Sequence, residues 1–256
     1  MPRVHDQTAT GRSALPGATT PFVGRRRELA EILLRLHDSE CRLLTIAGPG
    51  GIGKTRLALE TTCHLLDCEP LLFRDGVYFV PLQPVGSVDR LVPVIADVLG
   101  LLAADAEPLL AQVIHWLNRK QVLLLLDNFE HLVEAASLLT ELLAGAPGVK
   151  VLVTSREALK LREEWFHSIT GLQQPPGGTP DGTYEPAATS EAEELFVQAA
   201  RRAQPQFKPE VEQAAIRRIC RLVNGMPLAL ELAAAWLRVL SCAQVCAEIE
   251  QGFDLL

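Results

Sequence analysis

The sequence predicts a three-layer α/β/α domain with a mostly parallel five-stranded sheet, followed by a small all-helical domain. A glycine-rich turn at residues 48–55 lies between an apolar strand pattern and a helical pattern. An apolar run at 122–126 ends in an acid, which is typical of a strand that is buried on both faces in a parallel sheet. After residue 190 the sequence carries helical patterns without strand patterns.

The turn at residues 48–55 reads Gly-Pro-Gly-Gly-Ile-Gly-Lys-Thr and fits the phosphate-binding loop, or P-loop, G-x-x-x-x-G-K-[ST]. Its glycines let backbone N–H groups converge without an interfering Cβ. The helix that follows adds the partial positive charge of its N-terminus. We therefore expect Lys54 to reach the β- and γ-phosphates of a nucleotide and the Thr55 hydroxyl to bind Mg²⁺.

Helix and strand patterns alternate through the first part of the chain. The predicted helices cover 27–36, 55–66, 88–99, 107–118 and 131–143. The predicted strands cover 42–47, 76–82, 121–126, 149–154 and 165–169. The first helix is amphipathic, because Leu29, Ile32 and Leu36 recur at helical spacing. We interpret the three arginines at 25–27 as its solvated start rather than as a nucleic-acid patch.

Charged residues follow two of the predicted strands. Asp127 follows the apolar run, and an acid at the carboxyl end of a parallel strand lies where ligands bind in open α/β folds. It matches a Walker B aspartate that would hold Mg²⁺ through water, although many strands end in Asp at an ordinary turn. Arg156 follows strand 149–154 and would sense the γ-phosphate and supply positive charge; the alternative is a surface arginine.

Proline and glycine divide the chain. Residues 1–20 lack periodicity and predict a disordered leader. The segment 173–189 contains four prolines and three glycines and predicts a linker. The helices predicted after it cover 190–203, 209–223, 228–240 and 242–251. The predicted domains are therefore a nucleotide-binding domain at 21–172 and a helical domain at 190–256.

Composition limits the classes of function. The formal net charge of −7 argues against a broadly basic nucleic-acid surface. The six cysteines lack metal-ligand spacing and are interpreted as buried free thiols in a reducing compartment. No signal peptide is visible, and the apolar runs are too short to cross a bilayer. We expect a soluble cytoplasmic protein whose segment here binds neither membrane nor nucleic acid.

Five motifs in this order resemble the signal-transduction NTPases of the STAND class, and most closely the NB-ARC-like ATPase modules of bacterial multidomain signalling and transcriptional regulators. The motifs are Phe-Val-Gly-Arg at 22–25, the P-loop, Leu-Leu-Leu-Asp-Asn-Phe-Glu-His at 124–131, Val-Thr-Ser-Arg-Glu at 153–157 and Gly-Met-Pro-Leu-Ala-Leu-Glu-Leu-Ala at 225–233. The resemblance covers about residues 21–256. It implies a P-loop NTPase domain and a helical lid, with the nucleotide at their junction.

The resemblance also implies roles for particular residues. Pro227 matches the proline of the family's Gly-Leu-Pro motif, which covers the base; the alternative is an ordinary proline at a helix start. With the P-loop, this makes Lys54, Asp127 and Arg156 the predicted catalytic residues, with Glu130 as a possible substitute for a missing acid, and Thr55 and Asp127 the predicted Mg²⁺ residues. The residues implied to bind nucleotide are Val23, Gly24, Gly48, Pro49, Gly50, Gly51, Ile52, Gly53, Lys54, Thr55, Arg56 and Pro227.

Two departures from the family pattern affect the function. Many relatives carry a second acid where this chain has Asn128, and an amide cannot accept a proton from water at neutral pH. Glu130 is the alternative acid, or else a solvated residue at the next helix start. We therefore expect slow hydrolysis. Full-length relatives usually continue into a winged-helix domain and helical sensor repeats, so we expect a fragment or an unusually short protein.

The predicted function is an ATP/ADP-binding switch with Mg²⁺ as cofactor. We expect self-association on ATP binding and coupling to a protein partner or to further C-terminal domains. Without an Asn-Lys-x-Asp guanine motif, adenine is favoured. The alternatives are a P-loop phosphotransferase, which would need an acceptor lid, and a hydrolysis-dead scaffold or DNA-binding regulator fragment.

Overall fold

The computed structural model describes residues 15–17, 19–102, 107–174 and 189–252. The chain divides into two compact units. The first unit takes residues 1–21, 27–49 and 54–169, and the second takes 22–26, 50–53 and 170–256. Most of the predicted leader and of the predicted linker lies outside the described residues. The predicted domain boundaries at 172 and 190 stay a prediction.

The first unit is built on a five-stranded sheet with the order β2-β3-β4-β1-β5, in which every neighbouring pair is parallel. The strands are Leu43–Ala47 (β1), Val77–Pro81 (β2), Val122–Asp127 (β3), Val149–Ser155 (β4) and Glu164–Ser168 (β5). All five lie within one or two residues of the predicted strands. The α/β class with a parallel five-stranded sheet is therefore confirmed.

Burial explains why β1 and β3 are apolar. All of β1 and the first five residues of β3 are buried, and side chains on both faces of a strand must be apolar when helices cover both. The helices of this unit are Arg26–His37 (α1), Lys54–Cys68 (α2), Leu91–Val98 (α3), Leu109–Leu117 (α4) and Ala136–Gly145 (α5). The α3, α4 and α5 helices contribute to one core with β2, β3 and β4.

Two predicted helices begin later than expected. The helix predicted over 131–143 starts only at Ala136, after 3₁₀ turns at Phe129–His131 and Val133–Ala135. The helix predicted over 88–99 opens with a 3₁₀ turn, Val88–Arg90, before α3 begins. Pro93 then falls in the first turn of α3, where its missing N–H is tolerated because the first four N–H groups have no partner within the helix.

The second unit is helical over its described C-terminal part. Its helices are Glu191–Ala203 (α6), Pro209–Leu222 (α7), Pro227–Ala235 (α8) and Cys242–Glu250 (α9). A capping box opens α6: Ser190 Oγ accepts from the Glu193 N–H, and the Glu193 carboxylate accepts from the Ser190 N–H. These helices share an apolar core around Phe196, Ile219 and Leu230.

Candidate functional site

Lys54 lies at the first residue of α2 and is only 7% exposed. Its ammonium donates to the carbonyl oxygens of Gly48 at 2.8 Å and Pro49 at 3.1 Å, so the lysine folds back over the start of its own loop. Burial lowers the pKa of Lys54, and the nearby Glu130 carboxylate opposes that shift. The neighbouring Arg56 donates to the Thr20 carbonyl.

Asp127 is the centre of a network at the carboxyl ends of β3 and β4. Its Oδ1 accepts from the Thr55 hydroxyl at 2.7 Å and from the Thr154 hydroxyl at 2.6 Å. The Thr154 oxygen in turn accepts from the Asn128 N–H at 2.9 Å. The two strands are parallel neighbours, with Leu126 opposite Val153, and this register brings Thr154 beside the acid. The predicted pair of Thr55 and Asp127 is therefore in direct contact.

The oxygens of Thr55 and Asp127 fit a magnesium ion. Mg²⁺ prefers hard oxygen ligands and usually takes one or two from the protein, with water and phosphate supplying the rest. Across the described ranges no group of three or more His, Cys, Asp or Glu side chains could hold a metal by itself. A site that depends on phosphate oxygens is consistent with that finding, and the metal roles of the two residues stay a prediction.

Glu130 and Arg156 form an ion pair, with 3.2 Å between Arg156 Nε and Glu130 Oε1. The arginine side chain is 67% exposed, whereas that of the glutamate is 18% exposed. The other carboxylate oxygen, Oε2, is buried and has no hydrogen-bond partner among the described residues. Glu130, Arg156 and Asp127 all act electrostatically on Lys54. The structure therefore brings the four predicted catalytic residues together.

Asn128 has a backbone reason to be asparagine. Its φ of +70° lies in the left-handed region, which is costly for most residues but is visited by asparagine. The turn lets the chain leave β3 and enter the 3₁₀ turn at Phe129. From the sequence alone, Asn128 is only a missing acid. No sequence pattern shows that the backbone at this position is left-handed and so favours asparagine.

In the second unit, Gly24 and Arg25 form a turn with positive φ angles of +68° and +54°. A Cβ on Gly24 would lie 2.5 Å from Cδ of Glu191, so any other residue would have to displace that side chain while keeping a positive φ. The interpretation of Arg25 as solvated is wrong: it is 2% exposed, and its guanidinium donates to the carbonyls of Ile52 and Thr170. Arg26, by contrast, is exposed as predicted, and Val23 is 8% exposed.

Helix α8 packs on the P-loop residues that belong to the second unit. The Leu228 N–H donates to the Gly51 carbonyl at 3.2 Å. A Cβ on Gly51 would lie 2.9 Å from Cβ of Leu228, and one on Gly53 would lie 3.8 Å from Cγ of Pro227. Pro227 is the first residue of α8, as predicted. Its predicted contact with a base stays a prediction.

Two further expectations concern the chain as a whole. Cys68 is exposed and Cys63 is half-buried, so the interpretation of all six cysteines as buried is wrong, although all six are free. Burial raises the pKa of Cys220 to about 12, which makes that thiol inert at neutral pH. Within the described part of the chain, the helices are too short or too polar to cross a membrane.

Comparison with known proteins places this site in a class. Residues 36–161 match a family model described as "AAA domain", and the range contains the P-loop, Asp127 and Arg156. They therefore form a P-loop domain of the AAA type. The chain is 33% identical over 225 residues to the HTH-type transcriptional regulator named Rv0890c of Mycobacterium tuberculosis, covering 87% of this chain and 23% of that protein.

Other relatives and solved structures agree with this class. Rv0894 of the same organism is 33% identical over 239 residues, which is 93% of this chain and 56% of that protein. The STAND protein PH0952 of Pyrococcus horikoshii, which carries a tetratricopeptide repeat sensor, matches with a TM-score of 0.54 and 18% identity over 97% of this chain and 35% of its own. The predicted resemblance to a STAND-like regulator ATPase module is thus confirmed as a resemblance: in sequence to a named regulator, in fold to PH0952, and over residues 36–161 to the AAA domain model.

The fold is shared with proteins of other names. The ORC2 protein of Aeropyrum pernix, solved as ADPNP-ADP complexes, matches with a TM-score of 0.55 and 15% identity over 96% of this chain and 70% of its own. At such identities the likeness shows the fold alone. The chain spans about a quarter to about half of the lengths of Rv0890c and Rv0894.

Proposed function

We propose that this chain is an ATP/ADP-binding switch module of a STAND-type regulator, with Mg²⁺-dependent and slow ATP hydrolysis. The observation that carries the proposal is the packing of α8 on the P-loop: Pro227 and Leu228 lie against Gly53 and Gly51 in the second unit. A ligand bound to that loop would therefore act directly on the helix that begins at Pro227.

Phosphate binding is supported by the residues of the first unit. Lys54 supplies a cation at the loop, and its bonds to the Gly48 and Pro49 carbonyls are ones that phosphate oxygens can replace. Thr55 and Asp127 would hold Mg²⁺. When bound, the ion would neutralise charge on the phosphate oxygens. Thr154 keeps the Asp127 carboxylate oriented, because its hydroxyl donates to the same oxygen as that of Thr55.

Slow hydrolysis is supported by the two positions that could supply a base for the attacking water, residues 128 and 130. Asn128 cannot take a proton from water, and its left-handed backbone ties it to the turn. Glu130 is the remaining acid, but its Oε1 is already occupied by the ion pair with Arg156. The missing acid at Asn128 therefore affects hydrolysis but leaves Lys54, Thr55 and Asp127 in place to bind the nucleotide and Mg²⁺.

The Arg156–Glu130 pair offers a way to distinguish ATP from ADP. An exposed ion pair contributes only about 0–1 kcal/mol, so a γ-phosphate could take Arg156 from Glu130. A nucleotide shifts a conformational equilibrium only by its differential affinity for the two states. We propose that this exchange of partners supplies that difference, with ADP favouring the contact of Leu228 with Gly51 and ATP weakening it.

Thermal shift tests nucleotide binding. Wild type at 100 times the Kd should gain about 2.7 kcal/mol of stability, with Mg²⁺ strengthening ATP binding. Lys54→Ala should lose most of that gain, and Lys208→Ala, which removes an exposed lysine, should keep it. A wild type that is not stabilised by ATP or ADP would refute the proposal at its base.

Hydrogen exchange tests the switch. The amide of Leu228 donates to Gly51, so peptides that contain it should exchange more slowly with ADP than with ATP. Equal exchange in both states would remove the switch and leave nucleotide binding. A turnover assay on Glu130→Gln tests the base: loss of a slow wild-type rate would assign that role to Glu130, and an unchanged rate would exclude it.

Further parts of the proposal rest on the relatives. We propose a nucleotide-binding domain at 21–172 and a helical lid at 190–256, with self-association in the ATP state. The name of Rv0890c supports a place in a transcriptional regulator, and the bound nucleotides named for ORC2 support adenine. Sedimentation with ADP and with ATP tests the self-association, which an unchanged sedimentation coefficient would contradict.

A further inference from the structure

We propose that Arg25 is a positioning residue that fixes the backbone of the P-loop at Ile52 and so sets how slowly a bound nucleotide leaves. The inference rests on the proposed nucleotide binding and adds a residue that acts through the loop. The residues that carry it all belong to the second unit: Arg25, Ile52, Thr170 and Glu191.

The burial of Arg25 requires partners, because arginine is almost never fully buried unless it is paired. Its side chain bridges two backbone carbonyls, with Nη2 at 2.8 Å from the oxygen of Ile52 and 2.7 Å from that of Thr170. The planar guanidinium holds several donors in a fixed geometry. The guanidinium therefore fixes the direction of the Ile52 carbonyl relative to the Thr170 carbonyl, which is distant in the sequence.

The backbone of Arg25 is held in a costly conformation. Its φ of +54° is in the left-handed region, directly after Gly24 at +68°, and such positions persist only where the surroundings over-determine them. Glu191 of α6 supplies that constraint: its Oε1 accepts from the Arg25 N–H at 2.8 Å, and its Oε2 accepts from the Gln173 N–H at 3.3 Å. The turn is thus anchored at both its backbone and its side chain.

The consequence for the loop follows from peptide planarity. The carbonyl of Ile52 and the N–H of Gly53 belong to one planar unit and point in opposite directions. By fixing the carbonyl, Arg25 also fixes the N–H that the P-loop presents to phosphate. Gly53 has a φ of +93°, and glycine resists rotation of this peptide less than any other residue. The orientation therefore depends on the hydrogen bond from Arg25.

The experiment measures ADP dissociation rates, by displacement of a fluorescent ADP, and pyrophosphate affinity, by calorimetry. Arg25→Gln should raise the ADP dissociation rate about tenfold, as expected for the loss of a charged hydrogen bond, and should weaken pyrophosphate by a similar factor. Arg25→Lys retains a cation with fewer fixed donors and should recover part of the loss. The control Arg26→Gln removes the exposed neighbour and should match wild type.

Each outcome decides the inference. A lower melting temperature of the nucleotide-free variant with unchanged ADP dissociation would make Arg25 merely structural and overturn it. A loss for ADP without a loss for pyrophosphate would place Arg25 at the base and also overturn it. If Arg25→Gln does not fold, Arg25→Lys and Glu191→Gln carry the same measurements. A wild type that binds no ADP refutes the proposed function as well, which the variants alone cannot do.

Discussion

Two buried threonines on neighbouring strands provide a matched test of the Asp127 network. Thr154 on β4 and Thr45 on β1 are both fully buried, and the two strands are parallel neighbours. Thr154 donates to Asp127 and accepts from the Asn128 N–H, whereas the Thr45 hydroxyl is buried and has no hydrogen-bond partner among the described residues. Replacing either with valine removes the hydroxyl and keeps a β-branched side chain of the same shape.

The two substitutions should change stability in opposite directions. Thr154→Val removes a hydrogen bond to a carboxylate, which contributes about 1.5–3 kcal/mol, and orphans the Asn128 N–H at a further cost of about 1–3 kcal/mol. The total is about 2.5–6 kcal/mol, and Asp127 still keeps its bond from Thr55. Thr45→Val removes an unsatisfied hydroxyl and should be neutral or stabilising by about 1 kcal/mol.

Urea denaturation followed by circular dichroism measures this difference as a shift of the midpoint at constant slope. Thr154→Ser keeps the hydroxyl and should recover most of the loss, apart from about 1 kcal/mol for the missing methyl group. Equal destabilisation by both valine variants would show that the hydroxyl of Thr154 contributes no more than that of Thr45. The network would then not hold Asp127.

Two further predictions concern other contacts. Gly24→Ala places a Cβ at positive φ within 2.5 Å of Glu191, so it should destabilise the protein by about 1–3 kcal/mol in thermal melts, and a stability equal to wild type would contradict the geometry. The hydrogen bond with Glu69 raises the pKa of His37 above its ordinary value of 6.5, so its contribution to stability should be complete below pH 6.5 and decline as pH rises through the higher folded value. His37→Gln should remove that decline from melts taken across this range, and the same decline in the variant would assign it to other groups.

Local pattern carries a large part of this structure. The five strands could be predicted because continuous apolar runs between polar turns specify buried strands. The capping box at Ser190 and the first turn of α8 at Pro227 could be predicted because cap chemistry is local in sequence. The late start of α5 could not, since apolar spacing continues through the 3₁₀ turns before Ala136.

Contacts between distant residues account for what the sequence could not indicate. Arg25 is followed by two exposed arginines, so composition favours a solvated side chain, whereas the carbonyls of Ile52 and Thr170 explain its burial. Thr154 is an unremarkable strand residue until the register places it beside Asp127. In both cases the partner lies at least 27 positions away, which is beyond any local pattern.

Glycine is required in the P-loop for two separate physical reasons. Phosphate binding alone predicts glycine because backbone N–H groups must converge without a Cβ. Packing requires it independently at Gly51, where a Cβ would lie 2.9 Å from Cβ of Leu228 and φ is +74°. The second reason operates without any ligand, because it comes from the helix that begins at Pro227. A motif that specifies a phosphate site thus also specifies where α8 can approach, and this shared requirement is what would couple the helix to the nucleotide.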